Sequence, residues 1–222
     1  VTRRLVITVD GPAGAGKSSA SRALAGRLGY SYVDTGAMYR AVGVLAYELG
    51  VPLDDDQALA GLLAALHFEL RDGGGMVVDG RDLSQAIRRA EAGELASRVS
   101  TRPIVRERLV AIQRGLAAPG GVVMEGRDIG TVVCPDAPLK FYLTATPAER
   151  ARRRAAELRG RGEDVDESAL AADLAARDHR DSTRAVAPLR PACDAEVLDT
   201  TDIGLDEVVQ RMEASARAHL AR

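Results

Sequence analysis

Gly11-Pro12-Ala13-Gly14-Ala15-Gly16-Lys17-Ser18 is the densest piece of potential chemistry in the chain. The pattern G-x-x-x-x-G-K-[ST] lets successive backbone N–H groups converge on phosphate oxygens, while a lysine adds a full positive charge. Lys17 is expected to reach the β- and γ-phosphates of a triphosphate, and the Ser18 hydroxyl to bind Mg²⁺. Only two of the 30 basic residues are lysines, Lys17 and Lys140. With lysine so scarce, a chance match to the pattern has odds on the order of one in 10⁵ per position. Gly11, Pro12, Ala13, Gly14, Ala15, Gly16, Lys17, Ser18 and Ser19 are therefore expected to cradle ATP or GTP, and the loop alone does not say to what end.

A kinase must also hold a second anion near the γ-phosphate, and arginines stand at element ends to do so. Arg40 follows Asp34-Thr35-Gly36-Ala37-Met38-Tyr39, and Arg127 follows a short apolar run in Glu125-Gly126-Arg127-Asp128. The planar guanidinium fork suits a phosphate better than an ammonium does. Either arginine alone could equally be a surface ion pair; both following strand ends points to a ligand. A third cluster runs from Arg177 to Leu189. If helical through Arg184, it places Arg177, Asp181 and Arg184 at i, i+4 and i+7, on one face, and spacing alone also allows a salt-bridged helix surface. The chain contains no asparagine, so the N-K-x-D motif expected of a guanine-specific switch is absent.

These residues need a scaffold that brings loop ends together. Leu5 to Val9 reads as a buried strand running into the glycine-rich turn, and Ser18 to Leu28 has helical spacing. A second strand, 30–33, meets Asp34 or Thr35 as the cap of a helix running to about Leu49. Alternation of strand and helix predicts a parallel sheet. Between 54 and 102 the pattern changes. A helix over 55–66 precedes a hairpin whose strands are 68–70 and 76–78, around a turn at 71–75, and a helix follows from Ser84. Another helix, 103–116, opens on a proline and stops at Pro119-Gly120-Gly121. Strands at 122–124, 140–143 and 196–198 and helices from Pro147, Asp166 and Leu205 complete an α/β chain. Its five strands are expected in one doubly wound parallel sheet. Glycines and charges at 159–164 suggest either a mobile lid or a solvated turn.

At 222 residues and 46% hydrophobic, the chain can bury the core of one ordinary domain plus an insertion. A net charge of −2 offers no field for nucleic acid or an anionic membrane and favours small-molecule partners. Cys134 and Cys193 lack metal-type spacing and are expected as reduced thiols in a cytoplasmic protein. No apolar stretch suits a signal peptide or membrane span. No helix shows an extended exposed apolar stripe, so a monomer is expected.

Gly11 to Ser19, Asp34 to Arg40, Gly126-Arg127-Asp128-Ile129-Gly130-Thr131-Val132-Val133 and Arg177 to Leu189 together resemble the bacterial cytidylate kinase family. The similarity runs in the right order over nearly the whole chain. It implies a three-layer P-loop fold: a core of 1–53 and 103–222, a nucleoside-monophosphate-binding insertion over 54–102, and a short lid over 157–168. The implied activity is ATP-dependent phosphorylation of CMP and dCMP, and more weakly UMP, with Mg²⁺, in pyrimidine nucleotide metabolism. Other P-loop kinases, for UMP, AMP or shikimate, are the nearest alternatives.

Carried over residue by residue, Lys17, Arg127, Arg177 and Arg184 become catalytic. Arg40 and Arg127, with Tyr39, match positions that hold the acceptor phosphate, and Asp34 belongs with them among the substrate-binding residues. Arg177, Asp181 and Arg184 match positions that reach ribose and phosphate. Thr35, Ser97, Arg106 and Asp128 match the cytosine-reading positions. Glu125 departs from the family, where an aspartate often ends this strand, and the resemblance does not choose among lid arginines 150, 153, 154, 159 and 161.

Overall fold

The computed structural model describes residues 4–71 and 75–221. The hairpin turn expected at 71–75 has its centre, and the chain start its first three residues, outside the described residues. The chain divides into two compact units, one formed by residues up to Ser31 together with Gly121 onward, the other by Tyr32–Gly120.

The first unit begins with β1 (Val6–Asp10) and α1 (Lys17–Leu28), and the chain leaves it along β2 (Ser31–Asp34). It resumes with β6 (Val122–Glu125), β7 (Leu139–Thr144), α6 (Pro147–Arg159), α7 (Glu167–Thr183), β8 (Glu196–Asp199) and α8 (Leu205–Leu220). The five strands form one sheet in the order β2-β6-β1-β7-β8. The central strand β1 pairs in parallel on both sides, Ile7 opposite Val123 and Leu139, Val9 opposite Glu125 and Phe141. Ile7, Val9, Val123, Phe141 and Leu143 are fully buried. A parallel strand covered on both faces has no polar side to show, which is why β1 reads as an unbroken β-branched run. The parallel α/β sheet expected from the alternation is what forms. Helix α8 packs on α1, and Val209, Met212 and Ala216 of α8 and Leu24 of α1 are buried.

The second unit holds α2 (Thr35–Glu48), α3 (Asp56–Ala65), β3 (Phe68–Arg71), β4 (Gly75–Val78), β5 (Arg81–Asp82), α4 (Ala90–Val99) and α5 (Pro103–Ala117). Its small antiparallel sheet has the order β3-β4-β5. The third strand and the start of α4 differ from expectation. The helix expected from Ser84 begins at Ala90, after a tight 3₁₀ turn at Ala86–Arg88. The Ser84 hydroxyl is used elsewhere: it accepts from Met76 N at 3.1 Å, and Ser84 N donates to Asp82 Oδ1 at 2.8 Å. Those bonds close the sheet edge rather than cap a helix.

Helices α2 and α4 pack closely, and a glycine permits it. A Cβ at Gly43 would lie 2.8 Å from Leu95 Cβ and 3.0 Å from its carbonyl carbon. At Gly61 in α3 a Cβ would meet nothing within 4 Å. Gly43→Val is therefore expected to lower the free energy of unfolding by about 1–3 kcal/mol through overpacking. Gly61→Ala should instead raise it by up to about 1 kcal/mol through helix propensity. Urea titration of the two variants checks the contrast; equal effects would remove the close-packing argument.

Candidate functional site

The loop between β1 and α1 owes its shape to glycine at two places. Gly11 has φ 144°, and a Cβ there would fall 2.0 Å from Leu143 O. Gly14 has φ 76°, and a Cβ would fall 2.8 Å from Arg150 O. No side chain fits either position. Lys17 opens α1 and folds back over the loop, donating from Nζ to Pro12 O at 2.6 Å. Ser18 and Ser19 are exposed on the first turn of α1. The loop carbonyls are braced from behind: Arg150 Nη1 donates to Ala13 O at 3.1 Å, and Thr200 Oγ1 to Ala15 O at 3.3 Å. A groove of about 500 Å³ opens beside Ala15, Gly16 and Ser19, floored by Leu143 and Val208 and edged by Arg152, Arg153 and Thr200.

Burial pushes the Lys17 ammonium down to about 7, and the positive charges of Arg127 and then Arg177 add to the shift, against Glu125 and Asp10. Arg127 and Arg177 thus stand within electrostatic reach of Lys17 beside the glycine-rich loop, with Glu125 and Asp10 as the nearby opposite charges. A triphosphate would restore the lysine's charge. Binding of ATP near pH 7 should accordingly take up about half a proton at this group, rising toward one at higher pH. Calorimetry in buffers of different ionisation enthalpy measures this uptake, and none between about pH 7 and pH 8 would contradict the assignment.

Beside Lys17, arginines and carboxylates pair. Arg127 Nε donates to Asp181 Oδ2 at 3.1 Å, Arg177 Nε lies 3.9 Å from the same oxygen, and Arg184 Nη2 lies 3.4 Å from Asp128 Oδ1. Asp128 and Asp181 are buried. The single helical face expected for 177, 181 and 184 holds only for the first two. Helix α7 ends at Thr183, and Arg184 turns to extended backbone. Its Nε donates to Ala187 O at 2.6 Å, and Leu189 N closes on Asp181 O at 2.7 Å. The bend is what swings Arg184 back to Asp128.

Asp128 itself leads into a wide turn, Ile129–Val133, in which Cys134 N reaches back to Ile129 O at 2.7 Å. Such i→i+5 turns occur frequently at functional sites. Of arginines 150, 153, 154, 159 and 161, Arg150 is buried against Asp178 and Arg153 donates to Glu149 and Thr200, while Arg154, Arg159 and Arg161 pair with Glu157, Glu167 and Glu157.

In the second unit, Asp34 caps α2, accepting from Ala37 N at 3.0 Å, and Thr35 is the first helical residue. The other Asp34 oxygen accepts from Arg40 Nη2 at 2.7 Å, which fixes the guanidinium one turn above the cap. Arg106 in α5 places its guanidinium carbon 6.0 Å from the Tyr39 ring centre, at the edge of cation–π range. Arg106 and Ser97 would read as a surface charge and a helix-end hydroxyl on spacing alone. Both are buried, as is Thr35. The structure therefore brings Lys17, Arg127, Asp128, Arg177, Asp181 and Arg184 together in one unit, and Asp34, Arg40, Tyr39 and Arg106 in the other.

Sequence reasoning does not find Asp10 or Thr200, and it names Arg150 and Arg153 without choosing them. Arg150 and Arg153 sat among five interchangeable arginines; a buried threonine after β8 carries no local signal at all.

A family model described as cytidylate kinase matches residues 7–218. The chain belongs to the cytidylate kinase family. A cytidylate kinase of Symbiobacterium thermophilum is 49% identical over 215 residues, covering 95% of each chain. One from Pelotomaculum thermopropionicum is 48% identical, covering 96% of each. Among solved structures, an uncharacterized protein from Eubacterium ventriosum superposes with a TM-score of 0.54 at 12% identity, over 99% of this chain and all of that one. That likeness concerns the fold alone. Cytidylate kinases are phosphotransferases.

Proposed function

We propose that the chain transfers the γ-phosphoryl group of ATP to the 5′-phosphate of CMP, releasing ADP and CDP. Membership of the cytidylate kinase family supports this. The observation that carries it at the level of geometry is the convergence of Lys17, Arg127 and Arg177 beside the phosphate-binding loop. An acceptor phosphate is already anionic at neutral pH, so the step needs charge neutralisation and alignment more than a strong base. Backbone amides of residues 11–19 and Lys17 would grip the triphosphate, and the groove beside Gly16 is large enough to seat the donor base. Arg127, Arg177 and Arg184 would neutralise transferred and acceptor phosphates.

Asp128 would accept a hydrogen bond from the cytosine 4-amino group, where uracil presents an acceptor instead. Asp181 would accept from a ribose hydroxyl, favouring CMP over dCMP. In the second unit, Tyr39 and Arg40 have the corresponding role toward the acceptor phosphate, with Asp34 orienting Arg40, and Thr35, Ser97 and Arg106 toward the base. This assigns nucleoside-monophosphate binding to the insertion, 54–102, together with α2, and a lid role to 157–168.

A divalent ion fits the donor set. The Ser18 hydroxyl is exposed on the first turn of α1, and the buried Glu125 carboxylate ends β6 within electrostatic reach of Lys17. Hard oxygen donors of this kind suit Mg²⁺, which keeps several waters and leans on substrate phosphates. When bound with ATP, Mg²⁺ would neutralise charge on the β- and γ-phosphates. Ser18 would hold it, and Glu125 would orient its waters. The net charge of −2 favours small-molecule substrates over nucleic acid, and the proposed enzyme is a cytoplasmic monomer.

A panel of acceptors tests the reading. CMP should give the highest kcat/KM, dCMP a lower value and UMP a lower one still. Faster turnover of AMP, UMP or shikimate than of CMP would replace the acceptor while leaving the phosphoryl chemistry.

A further inference from the structure

Asp10 is the last residue of β1, directly before Gly11, and it is almost completely buried. Its carboxylate reaches the turn after β6. Oδ1 accepts from Ile129 N at 2.8 Å and Oδ2 from Gly130 N at 2.7 Å. These are the two residues immediately after Asp128. The approach is tight: a Cβ at Gly130 would lie 2.9 Å from Thr8 Oγ1, 3.2 Å from Lys140 Cδ and 3.4 Å from Asp10 Oδ2. The far end of the same turn is held by the only other lysine, whose Nζ donates to Pro135 O and to both oxygens of Asp194, at 2.9 and 2.7 Å.

We propose that Asp10 is a positioning residue: its carboxylate clamps the 129–130 backbone to the root of the phosphate-binding loop and so fixes Asp128 for reading the acceptor base. A carboxylate accepting two backbone N–H groups is a rigid, charge-assisted support. One oxygen on each of two consecutive amides fixes both the position and the direction of the chain leaving Asp128. The arrangement also ties donor cradle and acceptor reader to one strand end, so that the two are held in register by a single side chain. This deepens the reading of Asp128 as the base contact and rests on it.

Ionisation is part of the device, because a protonated carboxyl presents an O–H to one of those amides. Burial pushes Asp10 up to about 6, opposed by the Gly130 and Ile129 amides; the Asp128 charge raises it and Lys17 lowers it. The Tyr142 hydroxyl on β7 and the Lys140 stem also face this region. Below about pH 6 the clamp should therefore loosen, and with it recognition of the acceptor in particular.

The test compares wild type with Asp10→Asn, which keeps the shape and one acceptor. At about pH 7.5 the variant's KM for CMP should rise about tenfold while its KM for ATP stays within about twofold. The acceptor phosphate itself ionises near pH 6. On the acid side, kcat/KM for CMP should thus fall with two protons in wild type and with one in the variant. Gly130→Ala, which presses a methyl group onto the clamp, should reproduce the split in KM. Equal losses for both substrates, or an unchanged pH slope, would overturn the proposal. So would wild-type amide signals of Ile129 and Gly130 that fail to shift between about pH 5 and pH 7.5, a reading that needs no variant. Wild type that transfers nothing to CMP would sink the reading of the acceptor instead.

Discussion

Lys17→Ala is expected to lower kcat for CMP phosphorylation by about a thousandfold or more, with the fold intact. Removing one preorganised donor from a developing charge costs about 10²–10³ in kcat. Lys17 would bring a full charge to the phosphates as well, once they restore its proton. Each tenfold step corresponds to about 1.4 kcal/mol of transition-state stabilisation, and no other lysine stands near the loop to substitute, since Lys140 is committed to Pro135 and Asp194.

The fold should not suffer, because Lys17 is charged there against its environment. Its folded value near 7 lies below its ordinary 10.5. The penalty of burying that charge is therefore fully present below about pH 7 and is relieved as pH rises toward 10.5, where the folded state has shed a proton the unfolded state still holds. Relative to wild type, the alanine variant should gain melting temperature at about pH 6.5 and keep less than about half of that advantage at about pH 9. Steady-state kinetics with CMP, alongside thermal melts at the two pH values, make the comparison. A normal kcat would remove Lys17 from phosphoryl transfer.

Asp128→Asn is expected to collapse discrimination between CMP and UMP rather than activity toward both. A carboxylate accepts from a 4-amino group and repels the uracil 4-oxygen, whereas an asparagine can turn either its carbonyl or its amide outward. A good base contact is worth about 1–3 kcal/mol of discrimination, so the ratio of kcat/KM values should shrink about ten- to hundredfold. Arg184 would lose its anionic partner at 3.4 Å, which adds a loss of CMP turnover through a loosened Arg184. An unchanged ratio in the acceptor panel would take Asp128 out of base reading and leave it as a partner for Arg184.

Much of this was legible because the chemistry is local. The loop at 11–18 is a contiguous pattern, and β1 announces its burial on both faces by lacking polar alternation. Asp34 as the cap of α2 follows from its position before a periodic run, and the cap geometry then settles between Asp34 and Thr35. What the sequence withheld depends on contacts across the chain. Asp10 looks like an ordinary turn-former after a strand, and its role appears only when residues 119 and 120 positions away arrive at its oxygens.

A helix continued through Arg184 would put it on the same face of α7 as Arg177 and Asp181. The helix ends one residue earlier, and the bend that follows is set by Ala187, at φ 52°, and by Leu189 closing on Asp181. The start of α4 moved because the Ser84 hydroxyl is spent on Met76 N, a partner in another strand. In each case a hydrogen bond between residues eight positions apart overrides a preference that pattern reading can see.

The central claim is that a triphosphate held by the loop and Lys17 gives its terminal phosphoryl group to CMP. Incubating the purified chain with Mg²⁺, ATP and CMP, and quantifying all four nucleotides by anion-exchange chromatography, tests it most directly. Formation of ADP should depend on CMP, with CDP appearing in equal amount. ADP accumulating at the same rate without CMP, or with no CDP beside it, would contradict the account.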